Sequence, residues 1–238
     1  MNILIPMAGE GSRFKKEGYT FPKPLIDVDG KSMIQTVVEN LDFDADYIFL
    51  VRKQHLEEYS GLKETLYEIT NGRTTIVEVD GLTEGAACTA LLAKEFIDND
   101  DDLLIANSDQ FIEYENQNFN LIKNMTDVDS MVFTFTSVHP KWSFVKTNSR
   151  GFVTEVAEKK PISNIATCGI YWYRNGSDFV KYAEDMISKN IRVNNEFYIA
   201  PVYNELIQDK KTLVPFFVHA MHGLGTPEDL RTYLSKIK

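Results

Sequence analysis

The chain has 238 residues, 43% of them hydrophobic, with 25 Lys and Arg against 35 Asp and Glu and a formal net charge of −10 at pH 7. An acidic excess of that size repels nucleic-acid backbone and anionic membrane, so neither is expected as a partner. The two cysteines, Cys88 and Cys168, have neither CxxC nor Cys/His ligand spacing, which argues against a disulfide framework or a zinc site.

The first predicted element is a strand over Asn2–Met7. Its apolar run is too short for the core of a signal peptide and lacks a basic leader, and no stretch approaches the about 20 apolar residues that span a bilayer, so a cytoplasmic protein is expected. Further strands are predicted at Tyr47–Val51, Thr75–Val79 and Leu103–Ala106. Between them, Leu56, Tyr59, Leu62, Leu66 and Ile69 recur at helical spacing and predict one helix with a single apolar stripe. Another helix is predicted to start near Thr83, with that residue as its N-cap. This strand–helix alternation points to a parallel sheet covered on both faces.

The second half changes character. Strands are predicted at Met131–Ser137, Ser143–Lys146, Phe152–Glu158, Thr167–Tyr173 and Val214–Val218, and helices at Asp178–Ser188, Tyr198–Ile207 and Pro227–Ile237, the last capped by Thr226. The expected fold is α/β: a single Rossmann-like domain over 1–238 with a mixed, mostly parallel central sheet. A nucleotide-binding half of about 1–115 precedes an acceptor-binding half of about 116–238. Ligands in such sheets collect at the carboxyl ends of strands, so residues that follow strands are the ones to inspect.

Directly after the first strand comes MAGEGSRF, Met7 to Phe14. Gly9 and Gly11 lack Cβ atoms, so the backbone there can turn sharply and press its N–H groups on phosphate oxygens. Arg13 adds a planar fork of donors suited to a polyphosphate. Alone, this pattern fits an ordinary turn equally well; it is neither a Walker A loop nor a complete dinucleotide fingerprint. Pro22-Lys23-Pro24-Leu25 follows, and two prolines fix the backbone around Lys23, which aims its ammonium group in a defined direction. Further on, Asn107-Ser108-Asp109-Gln110 puts a carboxylate just past a buried strand, where an oxygen ligand for a hard cation is well placed, although Asp is also common in turns.

GEGSR followed by PKPL resembles the sugar-nucleotide pyrophosphorylase, or nucleotidylyltransferase, family, whose fold is the glycosyltransferase-A-like variant of the Rossmann sheet. The resemblance implies that Ala8, Gly9, Gly11 and Ser12 cradle a nucleoside triphosphate. It also implies that Arg13 holds the leaving pyrophosphate, and that Lys23 neutralises charge at the reacting phosphates. Leu82-Thr83-Glu84-Gly85-Ala86-Ala87 resembles the loop that cradles the base, which assigns Glu84 and Gly85 to the nucleotide, and Ser108, beside Asp109, is expected to contact it as well. Thymidylyl and uridylyl members carry a Gln before that glycine and this chain does not, so the base stays open among cytidine, thymidine and uridine. Asp109 matches the first metal-binding Asp, and Mg²⁺ is the implied cofactor.

Glu158-Lys159-Lys160-Pro161 and the Ser163-Asn164-x-Ala166-x-x-Gly169 run resemble the acceptor-pocket elements. Lys159 is thereby implied to bind the acceptor phosphate, Gly169 to allow its close approach, and Glu196 to hold acceptor hydroxyls. Met221-His222-Gly223-Leu224-Gly225-Thr226 resembles the W-x-D-x-G-T segment, with Gly223 where the second metal-binding Asp stands. Asp109 with phosphates and water, or another carboxylate, must then hold the metal. The opening LIPMAGEGSRF and the close GLGTPEDL resemble a small branch tied to capsule or surface-polysaccharide gene sets, in which one activity is cytidylyl transfer to phosphoglutamine. The implied partners are a nucleoside triphosphate and a phosphorylated small molecule such as a sugar 1-phosphate; assembly as a homodimer is compatible with this. A C-terminal β-helix of the kind longer relatives carry is not expected. Two rival readings are a non-catalytic binding protein, favoured by the missing second Asp, and a glycosyltransferase, disfavoured by the lack of a D-x-D motif.

Overall fold

β1 (Asn2–Pro6) lies inside the sheet with hydrophobic layers on both faces: Leu4 points into one core, and Ile3 and Ile5 into the other, all without solvent exposure. That is why its sequence reads as a continuous apolar run and not as an alternation. The structure, a computed structural model, describes residues 1–237. After β1 come α1 (Ser12–Lys16), a 3₁₀ turn at Lys23–Leu25, the two-residue strands β2 (Asp27–Val28) and β3 (Lys31–Ser32), and α2 (Met33–Leu41). β4 (Asp46–Arg52), α3 (Lys53–Glu58), α4 (Gly61–Ile69), β5 (Thr74–Val79), α5 (Ala86–Leu91), α6 (Lys94–Ile97) and β6 (Leu103–Ala106) complete the first half. The second half contains β7 (Gln110–Glu113), α7 (Asn116–Lys123), β8 (Ser130–Thr136), β9 (Ser143–Thr147), β10 (Val153–Glu158) and β11 (Ile165–Tyr173). It ends with α8 (Gly176–Ser188), α9 (Val202–Gln208), β12 (Leu213–Phe217), β13 (Ala220–Gly223) and α10 (Pro227–Ile237).

One nine-stranded mixed sheet runs through both halves in the order β10-β9-β11-β6-β1-β4-β5, with β8 paired to β11 and β12 paired to β8. β6, β1, β4 and β5 are mutually parallel, as is the pair β12 and β8, while β11 runs antiparallel to β6, β8 and β9. The parallel block aims the ends of β1 and β6 to one side, where the Met7–Gly11 loop and Asp109 begin. α5, α8 and α9 cover one face and α2, α4 and α7 the other. α2 shows the local logic: the Ser32 hydroxyl accepts the Gln35 N–H at 3.2 Å, and Met33, Ile34, Val37, Val38 and Leu41 are buried. Burial of such side chains contributes about 1.5–3 kcal/mol each. A third, small cluster of Phe14, Ile26, Val28, Met33, Leu224, Leu230 and Tyr233 joins the glycine-loop region to α10. Among the described residues no helix is long and apolar enough to cross a membrane.

Three expected helices differ. The stripe from Leu56 to Ile69 is split at Tyr59, whose backbone leaves the helical region and whose hydroxyl donates to the Thr20 carbonyl at 2.8 Å. Thr83 does not cap α5. The helix starts after Gly85, and the Thr83 hydroxyl instead donates to the Gly85 carbonyl and meets the Thr89 hydroxyl at 2.6 Å. The helix expected from Tyr198 starts only at Val202, after Pro201, which has no N–H to donate to a preceding turn. α2, α7 and the antiparallel pair β7–β13 were not foreseen; that pair sets Gly223 opposite Gln110.

Candidate active site

The chain leaves β1 with the Met7 N–H donating to the Leu50 carbonyl at 2.9 Å. From Ala8 to Ser12 the backbone N–H groups then have no protein acceptor among the described residues. Ala8 is buried, Gly9 is exposed, and a Cβ on Gly9 would meet open space. Gly11 is different. It adopts a left-handed conformation (φ 62°), and a Cβ there would lie 3.4 Å from the Cβ of Lys23. Its carbonyl accepts from Phe14 and Lys15 and so starts α1, on which Phe14 is buried against Tyr19 and Arg13 stays exposed on the cleft wall.

Pro22 has φ −61° and ψ 150°, and its carbonyl accepts the Leu25 N–H at 2.9 Å, closing the 3₁₀ turn that begins at Lys23. The turn carries the Lys23 ammonium to 2.7 Å from Asp109 Oδ2, in a pair where the two side chains are 21% and 25% exposed. Asp109 follows β6 and is anchored from the far end of the chain, since the Leu224 N–H donates to its carbonyl at 2.8 Å. The β7–β13 pair brings two glycines next to it. A Cβ on Gly225 would overlap the Asp109 carboxylate, and one on Gly223 would come within 3.5 Å of the Asp229 carboxylate. Asp229 sits in the first turn of α10, its N–H donating to the Thr226 hydroxyl at 3.1 Å; its Oδ2 accepts from that hydroxyl at 2.8 Å and its Oδ1 from Lys141 at 3.1 Å.

The opposite wall is built by β9, β10 and β11. Burial pushes the Glu158 carboxyl above its ordinary value, against a hydrogen bond from Ser143 and the charge of Lys159, and the nearby Glu196 charge adds to the rise. Lys159 has a left-handed backbone (φ 54°), its N–H donates to the Trp142 carbonyl at 3.0 Å, and its ammonium lies over the Tyr198 ring, 4.4 Å from the centroid, touching the hydroxyl. At Gly169 (φ 75°) the pairing of β11 with β8 slips, and a Cβ would overlap the side chains of Asn107 and Gln110. Together these walls enclose an open cleft of about 710 Å³. Four cations of an acidic chain stand on or beside it: Arg13, Lys141 and Lys159 on the lining, and Lys23 through Asp109.

The model of the nucleotidyl transferase family matches residues 3–238. The chain belongs to that family. Among curated proteins it is similar to the bifunctional protein GlmU of Methanocaldococcus jannaschii, 26% identical over 234 residues, which is 97% of this chain and 52% of that protein. The GlmU of Methanococcus aeolicus matches at 25% identity over 74% of this chain and 40% of its own length, so the chain spans about half the length of the curated relatives it matches. The crystal structure of a nucleoside-diphosphate-sugar pyrophosphorylase from Vibrio cholerae RC9 superposes with a TM-score of 0.84 at 26% identity, covering 98% of this chain and 99% of the other. A UDP-glucose pyrophosphorylase solved with UDP-glucose shares the fold, with a TM-score of 0.76 at 18% identity over 99% and 97% of the two chains.

In this nucleotidyl transferase the expected site residues do not all reach the cleft. Arg13, Asp109, Lys159 and Gly169 line it, Lys23 touches Asp109, and Ala8, Gly9, Gly11 and Ser12 form the adjoining loop. Glu84 is not on the lining: its carboxylate is 67% exposed and turns to the Arg192 guanidinium, which itself stacks on Phe197. Gly85 packs so closely on the Phe197 backbone that a Cβ would overlap it, and the next residue, Ala86, is the one that lines the cleft. Ser108 is 3% exposed and lies beneath the lining. Glu196 is exposed on the rim, in a small bridge with Val193, and His222 pairs with Glu113 at 2.8 Å. Asn107, Gln110, Trp142 and Asp229 line the cleft without having been singled out. Only the first two had a local signal, their place beside Asp109 after a buried strand.

Mg²⁺ fits this donor set in a limited way. Asp109 supplies a hard carboxylate oxygen and Asp229 a second one near the position of Gly223, while no group of three or more His, Cys, Asp or Glu among the described residues could hold a metal alone. A cation that keeps several waters and takes substrate phosphates as ligands needs no more than one or two carboxylates.

Proposed function

We propose that this chain transfers a nucleoside monophosphate unit from a nucleoside triphosphate to a phosphorylated small molecule. An oxygen of the acceptor phosphate attacks the α-phosphorus, the new P–O bond forms in line, the bond to the β-phosphate oxygen breaks, and pyrophosphate leaves. The attacking group is already an anion, so no protein nucleophile is needed and the barrier lies in charge repulsion and alignment. Lys23 and Arg13 offset the charge that gathers on the leaving pyrophosphate, and the free N–H groups of Ala8 to Ser12 receive its oxygens. Lys159, on the opposite wall, holds the acceptor phosphate. Asp109, assisted by Asp229, would hold Mg²⁺, which supplies further charge neutralisation when bound.

The single observation that carries this reading is the 2.7 Å approach of Lys23 to Asp109 beside a glycine loop whose amides are unpaired. The similarity of the opening and closing motifs to the capsule-associated branch extends the proposal to cytidylyl transfer, in the cytoplasm, for surface-polysaccharide synthesis. The test is release of pyrophosphate from CTP, UTP, dTTP, ATP and GTP, each offered with glucose 1-phosphate, phosphocholine and phosphoglutamine. Acceptor-dependent release with at least one pair is expected. Binding of triphosphates with no turnover across the panel would instead favour a binding protein, and turnover with UTP or dTTP alone would remove the cytidylyl extension.

A further inference from the structure

Lys23 and Lys141 are each held by a carboxylate, that of Asp109 and that of Asp229. Lys159 is held differently. Among the described residues its ammonium has no carboxylate within ion-pair distance; it lies 4.4 Å from the centroid of the Tyr198 ring and touches the phenol oxygen. A ring face and a neutral hydroxyl fix the direction of an ammonium and leave its charge for an anion, whereas a carboxylate offsets that charge. The backbone on both sides is set for this contact. Lys159 has a φ of 54°, uncommon for any residue but glycine, and its N–H donates to the Trp142 carbonyl at 3.0 Å. Tyr198 is half-buried, faces the cleft and stands on a fixed segment. The Phe197 N–H donates to the Glu84 carbonyl, and the Phe197 carbonyl accepts the Ala87 N–H, both at 2.9 Å. The Arg192 guanidinium covers the Phe197 ring at 3.9 Å, and Ile199 and Ala200 are buried directly after Tyr198.

We propose that Tyr198 is a positioning residue of the transfer reaction, acting through Lys159: it holds that ammonium in place on the acceptor wall without neutralising it. This rests on the transfer reading above and deepens it. A loose lysine side chain loses rotamer freedom when it meets a phosphate, and one already held loses less, so the hold favours acceptor binding. It also fixes where the acceptor phosphate stops, which in-line attack requires. Because the effect of Tyr198 runs through Lys159, its removal damages use of the acceptor and spares binding of the triphosphate.

The test is a double-substitution cycle on the full chain. Glucose 1-phosphate, phosphocholine and phosphoglutamine serve as acceptor probes, and CTP, UTP, dTTP, ATP and GTP as donor probes. The pair that wild type turns over fastest is carried to the variants. Tyr198→Leu, which removes ring and hydroxyl, is expected to lower kcat/KM for the acceptor by roughly tenfold or more, with the KM for the triphosphate and the Tm in place. Tyr198→Phe keeps the ring and is expected to fall between wild type and Tyr198→Leu. Lys159→Ala is expected to lose at least as much, and Tyr198→Leu added to it to cost nothing further, because two residues that act as a unit are not additive. Losses that multiply in the double variant, or wild-type kcat/KM in Tyr198→Leu, overturn the inference and leave the transfer reading standing. A Tyr198→Leu protein that loses acceptor and triphosphate alike also overturns it, since Tyr198 then supports the fold of the cleft and not Lys159. Wild type that turns over no pair overturns the transfer reading itself, and this inference with it.

Discussion

Lys23 and Asp109, 86 positions apart, are joined at 2.7 Å by a pair that is about three-quarters buried on each side. The carboxylate holds the ammonium at the mouth of the glycine loop, and Gly11 packs against the base of the same lysine. Replacement of Lys23 by Ala is therefore expected to lower turnover by about 10²–10³-fold, the usual loss when one fixed charge or donor is taken from a reacting centre. A partly exposed pair contributes at most about 1 kcal/mol to stability, so the melting temperature should move little. Near-normal turnover in that variant would remove Lys23 from the mechanism.

Asp109 has a second expected role that can be read without catalysis. In Asp109→Asn the oxygen donor remains but its charge is gone, and Mn²⁺ bound in the presence of a triphosphate, followed by electron paramagnetic resonance, is expected to weaken by about tenfold or more. Unaltered Mn²⁺ affinity would show that the cation is held elsewhere.

Gly85 is a position where backbone geometry alone sets the expected effect. Its φ of 136° and the crowding by the Phe197 backbone mean that Gly85→Ala must displace the segment through which Phe197 N–H donates to Glu84 and Ala87 N–H donates to Phe197. A loss of about 1–3 kcal/mol is expected from the backbone strain, visible as a lower denaturation midpoint. An unchanged midpoint would mean that the 193–200 loop yields freely.

Glu158 should make stability pH-dependent. Burial raises its pKa in the folded chain, so the protonated form is favoured there, and its contribution is fully present below the ordinary value of 4.5 and is lost as pH rises through the raised value. Glu158→Gln removes that titration. Melting temperatures of the two proteins are expected to diverge in favour of the Gln variant as pH climbs from about 4.5 toward neutrality, with parallel curves counting against it.

The strands and the glycine loop were legible because each obeys a local rule. β1 and β6 are buried on both faces and read as short apolar runs, Gly9 and Gly11 come within a few residues of the first, and Asp109 comes just after the second. The partners that complete the site have no such rule. Glu84 is drawn off the lining by an arginine 108 positions away, and the two amides at Gly169 depend on a slipped register between distant strands. β7 and β13 are four residues each, half of them polar or glycine and without strict alternation, and only their mutual pairing reveals them as strands. The stripe from Leu56 is apolar as its spacing predicts but not continuous, since the tie from Tyr59 to Thr20 lies outside any helical period.

The hydrogen bond from Leu224 to Asp109 bears on how the molecule is made. During synthesis the glycine loop and Lys23 emerge long before Leu224, so the ladder that steadies Asp109 cannot form until that much later segment has been added. The nascent polypeptide thus carries its earliest motif in an unassembled state until the strand pairing around Leu224 becomes possible.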